Sequence, residues 1–225
     1  MRRAPVWLFD LDNTLHDCSA AIFPEINRLM TVYIARRLGL ALPDADRLRR
    51  ELWLSHGATL LGLVERHGVD ATEFLREAHA FDDLRALIVP QRGLVAALRR
   101  LPGRKILFTN GPAAYAGEVL FHLGIDRHFD RRIAVEQMRL HGRLRPKPSR
   151  PMLRALIARE RVDPRRCVLV EDSLPNLRAA RALGLSTIFV HGHGLAPNCK
   201  RPGWPTLNLR SITILPREIA RRWRF

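Results

Sequence analysis

Apolar and polar positions follow two rhythms along this chain. Val6-Trp7-Leu8-Phe9 is an unbroken apolar run that reads as a buried strand, and it ends in two carboxylates, Asp10 and Asp12, two residues apart. From about Ser19 to Ala80 the rhythm is helical: Ile22, Ile26, Leu29, Met30, Tyr33, Ile34 and Leu38 recur at spacings of three and four. Gly39 offers a helix stop, Pro43-Asp44 opens a second helix, and Gly57 and Gly68 divide the remainder. From about Pro90 strands and helices alternate. Leu94–Leu101, Ala113–Leu123, Pro151–Glu160 and Leu177–Leu183 read as helices, with Lys105–Thr109, Cys167–Val170 and Thr187–Val190 as apolar strands between or after them.

Such alternation with short connections predicts right-handed βαβ units and a doubly wound parallel sheet, an α/β fold. The first strand belongs with that later portion, so the expected organisation is a core of residues 1–15 and 89–225 with an all-helical segment, 16–88, inserted after it. Beyond His191 the pattern weakens to one further strand, Thr206–Leu209, and a short basic helix, Arg217–Arg224.

Length and composition change this picture little. At 225 residues the chain can bury a substantial core. No apolar run approaches the ~20 residues of a membrane span, and no signal-peptide core follows Arg2-Arg3. Cys18, Cys167 and Cys199 are odd in number and far apart, which suits a reducing cytoplasm better than a disulfide framework or a zinc site. The formal net charge of +16 raises nucleic-acid binding as a rival. Nearly all of it is arginine scattered over helix faces, without the interleaved aromatics that stack bases, so compositional bias is the favoured account. A positive field of this kind can still draw in small anionic substrates.

In an open parallel sheet the ligand crevice lies at the carboxyl ends of the strands. Three predicted strand ends carry reactive or polar groups: Asp10/Asp12, Thr109/Asn110 and Glu171/Asp172. Two acids side by side at a buried strand end repel unless a cation separates them or one keeps a proton. Either case suits chemistry, with a metal ligand or nucleophile beside an acid able to shuttle a proton. For a phosphate ester, attack by an anion needs neutralisation by a divalent cation and a positive side chain. Lys147, one of only three lysines, sits in Arg145-Pro146-Lys147-Pro148 and suits a phosphoryl oxygen as a compact point charge. The Thr109 hydroxyl and the Asn110-Gly111 backbone, just before a helix, form an anion seat.

The ordered set Asp10-x-Asp12, Thr109-Asn110, Lys147, Glu171-Asp172 resembles the haloacid dehalogenase superfamily of phosphotransferases, across essentially the whole chain. The resemblance implies a Rossmann-like core with a helical cap. It also implies Asp10 as the nucleophile that becomes an aspartyl-phosphate, and Asp12 as the acid that protonates the leaving alcohol and then activates water. Thr109 would bind phosphate, Lys147 would neutralise charge, and Asp172, Asp10 and the Asp12 carbonyl would hold Mg²⁺. Dehalogenases of the superfamily lack the second acid, because a halide leaves without a proton; Asp12 therefore favours phosphoryl transfer. Glu171 stands where many members have Gly or Asp, and Asn176 where many have Asp.

Further stretches are similar to the pyrimidine 5′-nucleotidase branch, among them Tyr33-Ile34, Leu38-Gly39-Leu40, Gly57-Ala58-Thr59-Leu60-Leu61-Gly62-Leu63 and Leu101-Pro102-Gly103-Arg104-Lys105. That branch implies hydrolysis of UMP or CMP, with Thr59, His56 and His79 of the cap facing the nucleoside. A phosphatase or phosphomutase for another small metabolite, such as phosphoglycolate or a phosphosugar, is the alternative. The expected partner is a small phosphorylated metabolite rather than a specific nucleic acid or a membrane, for a monomer or homodimer.

Overall fold

The helical segment forms one of two compact units, Ala20–Leu87, in the computed structural model, which describes residues 4–193 and 202–222. It comprises α1 (Ile22–Leu38), α2 (Leu42–His56), α3 (Thr59–His67), α4 (Ala71–Ala78) and a short α5 (Leu84–Leu87). The three-and-four spacing read from the sequence is the buried face: Ile22, Ile26, Tyr33 and Ile34 of α1 are buried, as are Leu52 of α2 and Leu63 of α3. Tyr33 meets Phe74 edge to face at 5.3 Å. Gly39, Gly57 and Gly68 end their helices in the left-handed conformation, and the Asp70 carboxylate caps α4 by accepting from the Glu73 N–H.

The second unit, Met1–Ser19 with Ile88–Phe225, holds the sheet. Residues 16–19, which the sequence reading gives to the insert, pack here because the Asn13 Oδ1 accepts from the Cys18 and Ser19 N–H groups at 3.0 and 3.1 Å. The strands are β1 (Val6–Phe9), β2 (Arg104–Phe108), β3 (Arg131–Ile133), the two-residue β4 (Arg139–Leu140) and β5 (Arg143–Leu144), β6 (Cys167–Glu171), β7 (Ser186–Val190) and β8 (Leu207–Leu209). Six form one sheet in the order β3-β2-β1-β6-β7-β8, every pairing parallel; β4 and β5 form a separate hairpin. Helices α6 (Leu94–Arg100), α7 (Ala113–His122), α8 (Arg150–Arg159), α9 (Leu174–Arg181) and α10 (Leu215–Arg222) flank the chain's strands in sequence.

Strand β1 lacks apolar–polar alternation because both its faces are covered. Val6 and Leu8 join a core cluster with Leu153 and Leu156 of α8 and Leu177 of α9. Trp7 and Phe9 point the opposite way, their rings 6.2 Å apart, and Phe9 meets Phe129 edge-on. Burying a side chain such as Leu8 contributes about 1.5–3 kcal/mol. The Pro102-Gly103 turn before β2 needs glycine: a Cβ there would lie 2.1 Å from the Pro5 carbonyl oxygen.

Four elements depart from the sequence reading. Strand β3 carries two exposed arginines and no apolar run; it is made by the backbone bonds Thr109 N–H to Ile133 O and Asp130 N–H to Lys105 O. The β4–β5 hairpin turns on His141 and Gly142, both at positive φ, with strands too short to show a period. Helix α9 starts at Leu174 rather than Leu177, because Pro175 is suited to a first turn. The expected tail strand and basic helix correspond to β8 and α10, while Arg224 and Cys199 lie outside the described residues.

Candidate functional site

Strand order reverses between β1 and β6, so the crevice of this sheet opens at their carboxyl ends. Phe9 pairs with Val170 in register, so the next residues, Asp10 and Glu171, stand side by side at the rim, Asp10 just past β1 and Glu171 as the last residue of β6. The Asp10 N–H still donates to Val170 O at 3.0 Å, which fixes the nucleophile candidate at the rim. Asn13, at φ 57, then turns the chain back; Asn is among the few non-glycine residues that take this conformation readily.

Lys147 reaches into this crevice. Its Nζ donates to Asp10 Oδ1 at 2.6 Å and to Glu171 Oε2 at 2.8 Å, and all three side chains are buried. Asn110 holds the lysine loop: its Nδ2 donates to the Lys147 carbonyl and its Oδ1 accepts from the Lys147 N–H. Sequence reasoning assigned Asn110 and Gly111 to an anion seat through their N–H groups. The Gly111 N–H instead donates to Thr109 Oγ1 at 2.9 Å, which leaves the fully buried Thr109 hydroxyl with its own proton to give. The Thr14 hydroxyl donates to Asp10 Oδ2 at 3.2 Å.

Electrostatics at the rim are unbalanced. Burial, then the Glu171 charge, push the Asp10 carboxyl up to about 8, against the pull of Lys147. Burial, then Asp10, raise Asp172 to about 6. Glu171 is raised as well, by burial above all. Burial works against the Lys147 charge, but Asp10 and Glu171 outweigh it and hold the ammonium protonated. Three acids facing one ammonium would carry an excess of negative charge if all were ionised, which bound protons or a cation must offset. One oxygen from each of Asp10, Glu171 and Asp172 lies within 4.8 Å of the others, an all-oxygen set that fits a hard divalent cation.

Asp12 sits in a different environment. Its Oδ1 accepts from the Tyr115 hydroxyl at 2.6 Å and the Cys18 thiol at 3.0 Å, and lies 3.4 Å from His16 Nε2. Burial acts to raise its pKa, but the hydrogen bonds and charge from His16, with those of Cys18 and Tyr115, prevail and lower it. Asp12, His16 and Cys18 also form a mixed O/N/S group within 4.8 Å. Burial, then the Asp12 charge, raise the Cys18 thiol, so it serves as a neutral donor. Tyr115, His16 and Cys18 were missed by sequence reasoning; the only signal was a His-Asp-Cys run, residues 16–18, beginning four residues after Asp12.

The cap candidates all lie in the helical unit and are engaged within it. Thr59, buried at the start of α3, donates to the Arg49 carbonyl at 3.1 Å. His56 Nδ1 is 2.7 Å from Ser55 Oγ, and His79 Nδ1 is 2.9 Å from the Leu75 carbonyl.

A family model described as haloacid dehalogenase-like hydrolase matches residues 6–184. Among characterised proteins, the chain is 29% identical over 202 residues to a 5′-nucleotidase of Pseudomonas aeruginosa, covering 85% of this chain and 84% of that protein. It is 26% identical over 229 residues to a phosphoglycolate phosphatase of Colwellia psychrerythraea, covering 91% and 93%. Among solved structures, a HAD phosphatase from Thermococcus onnurineus matches with a TM-score of 0.62 at 20% identity, over 96% of this chain and 98% of that one. L-2-haloacid dehalogenase from Xanthobacter autotrophicus matches at 0.60 and 15% identity, over 99% and 100%. Both structures share the fold.

Proposed function

Because the chain belongs to the haloacid dehalogenase-like hydrolases, we propose that it hydrolyses small phosphate monoesters through an aspartyl-phosphate on Asp10. The observation that carries this reading is the Lys147 ammonium bridging Asp10 and Glu171 at the mouth of β1 and β6, with Asp172 and the Thr109 hydroxyl at neighbouring strand ends. Asp12 supports phosphoryl transfer over dehalogenation, since an alkoxide leaving group needs a proton and a halide does not.

A Mg²⁺ ion held by Asp10, Asp172 and the Asp12 carbonyl, with Glu171 beside it, would neutralise the phosphoryl oxygens. Asp10 attacks phosphorus in line while Lys147 and Thr109 hold phosphoryl oxygens. Asp12, which its donors favour as the anion in the free protein, must take up a proton when substrate binds and then gives it to the leaving oxygen. The same carboxylate then takes a proton from water, which attacks the aspartyl-phosphate and releases phosphate. Asn110 keeps Lys147 aimed through its two bonds to the lysine backbone.

The substrate class we favour is pyrimidine nucleoside 5′-monophosphates, supported by the motif stretches around Thr59 and by the likeness to a 5′-nucleotidase. In that reading Thr59, His56 and His79 recognise the nucleoside. Phosphoglycolate is a second reading, favoured by the likeness to phosphoglycolate phosphatases from two organisms.

Phosphate release with Mg²⁺ from UMP, CMP, dTMP, AMP, GMP, phosphoglycolate and glucose 6-phosphate tests both levels. Asp10→Asn is expected to abolish turnover, and a variant that kept most of its activity would sink the nucleophile assignment. Selective release from UMP and CMP supports the nucleotidase reading; selective release from phosphoglycolate replaces it and keeps the mechanism. EDTA is expected to abolish release and Mg²⁺ to restore it.

A further inference from the structure

Asp12 is approached by three groups on one oxygen. Tyr115 Oη at 2.6 Å, Cys18 Sγ at 3.0 Å and His16 Nε2 at 3.4 Å all meet Oδ1, and no hydrogen-bond partner meets Oδ2 among the described residues. These groups are themselves buried and joined: Cys18 Sγ lies 3.3 Å from His16 Nε2 and 3.6 Å from Tyr115 Oη. While Tyr115 and Cys18 donate to it, Oδ1 is the poorer seat for a proton, because a proton there would turn one of these groups from donor to acceptor. The proton of a neutral Asp12 therefore belongs on Oδ2. Tyr115 comes from α7, on the far side of the Thr109-Asn110-Gly111 turn, and its ring packs tightly against the backbone of Gly111. A Cβ there would stand 3.0 Å from the ring.

We propose that Tyr115 and His16 are positioning residues, which pin Asp12 Oδ1 so that Oδ2 is the oxygen exchanging a proton with the substrate. The inference rests on the phosphoryl-transfer reading above and assigns the geometry of its acid. In the first half-reaction the Asp10 oxygen–phosphorus bond forms and the ester P–O bond breaks. The electron pair of that bond stays on the leaving oxygen, which takes the proton from Asp12 Oδ2. Loosening the clamp should therefore cost rate only where the leaving group needs that proton.

The test is kcat/KM for phenyl phosphate and p-nitrophenyl phosphate, esters of similar shape whose leaving groups differ in basicity. This parameter covers steps up to formation of the aspartyl-phosphate and is blind to its later hydrolysis. For Tyr115→Phe, kcat/KM should fall about 10-fold on phenyl phosphate and less than about 2-fold on p-nitrophenyl phosphate, whose phenolate departs without a proton. Asp12→Asn should show the same split more strongly, by about 10²-fold or more. Equal loss on both esters, or no loss on either, would overturn the positioning role. Should Tyr115→Phe fail to fold by circular dichroism, His16→Leu removes a second contact at similar volume and must give the same split. A failure of the underlying reading looks different: wild-type protein that releases phosphate from neither these esters nor any ester of the panel above overturns phosphoryl transfer itself, whereas Asp12→Asn without any leaving-group dependence removes Asp12 as the acid and the clamp with it.

Discussion

Glu171 accepts one of the two carboxylate bonds that Lys147 makes, and it also belongs to the oxygen set around the expected cation. Glu171→Gln preserves its size and removes its charge. The Lys147 ammonium would then keep a neutral amide acceptor but only one carboxylate partner, drawing it closer to Asp10, while the cation loses a neighbouring negative charge. Activity at saturating Mg²⁺ is expected to fall about 10- to 100-fold, and the Mg²⁺ concentration for half-maximal rate to rise. A Mg²⁺ titration superimposable on wild type would reduce Glu171 to a packing role. Gly111→Ala makes a second residue-scale case, because its new Cβ meets the Tyr115 ring and lies 3.3 Å from Thr109 Oγ1. It should reproduce a weakened form of the Tyr115→Phe leaving-group split; a uniform loss on both esters would place the damage at Thr109 instead. Asp10, Lys147 and Asp172 were legible in the sequence because two of them follow apolar strand runs and the third is a rare lysine set between prolines. Tyr115 was not, since its bond to Asp12 joins residues 103 apart through the packing of α7, and a tyrosine in a helix has no period that announces such a contact.

At the scale of elements, the site exists because β1 and β6 end level and buried. That placement carries a cost in stability that pH exposes. Asp10 is raised from 3.8 to about 8 and Asp172 from 3.8 to about 6, so between pH 4 and 8 the folded protein holds protons that the unfolded chain has released. With more protons bound in the folded state, stability falls as pH rises through that window. Without divalent cations, the thermal midpoint is expected to drop between pH 5 and pH 8. Mg²⁺ should raise it more at pH 8, where both carboxylates are free to bind it. Asp172→Asn should flatten the metal-free slope. A midpoint that rises with pH in EDTA would contradict the burial of these acids. The strands that make this site, β1 and β6, were readable from unbroken apolar runs. Strand β3 was not, because its pairing is made by backbone groups while its side chains include Arg131 and Arg132. Arg131 is instead tied down by Glu160, which also receives Arg104 and so links β2 and β3 to the end of α8.

For the whole molecule, the net charge of +16 is spread rather than massed. Several arginines are engaged with acids close by: Arg28 with Glu25, Arg36 with Glu77, Arg49 and Arg50 with Asp46, Arg66 with Glu51 and Arg132 with Asp126. Exposed pairs of this kind contribute about 0–1 kcal/mol each, so they matter less for stability than for dispersing the field. A dispersed positive surface attracts any polyanion weakly and selects none. Duplex DNA, followed by fluorescence anisotropy, should therefore bind at 50 mM salt and be released by 200 mM. A protein neutralising six to ten phosphates loses roughly 10³- to 10⁵-fold in affinity over that range. The same field should aid capture of a dianionic ester, so kcat/KM should decline over that salt range while kcat stays nearly constant. Sequence-dependent DNA binding that survives 200 mM salt would mean that the arginines form a built nucleic-acid surface. A salt-independent kcat/KM would mean that the field plays no part in capture, leaving Lys147 and the expected cation to draw the phosphate in at close range.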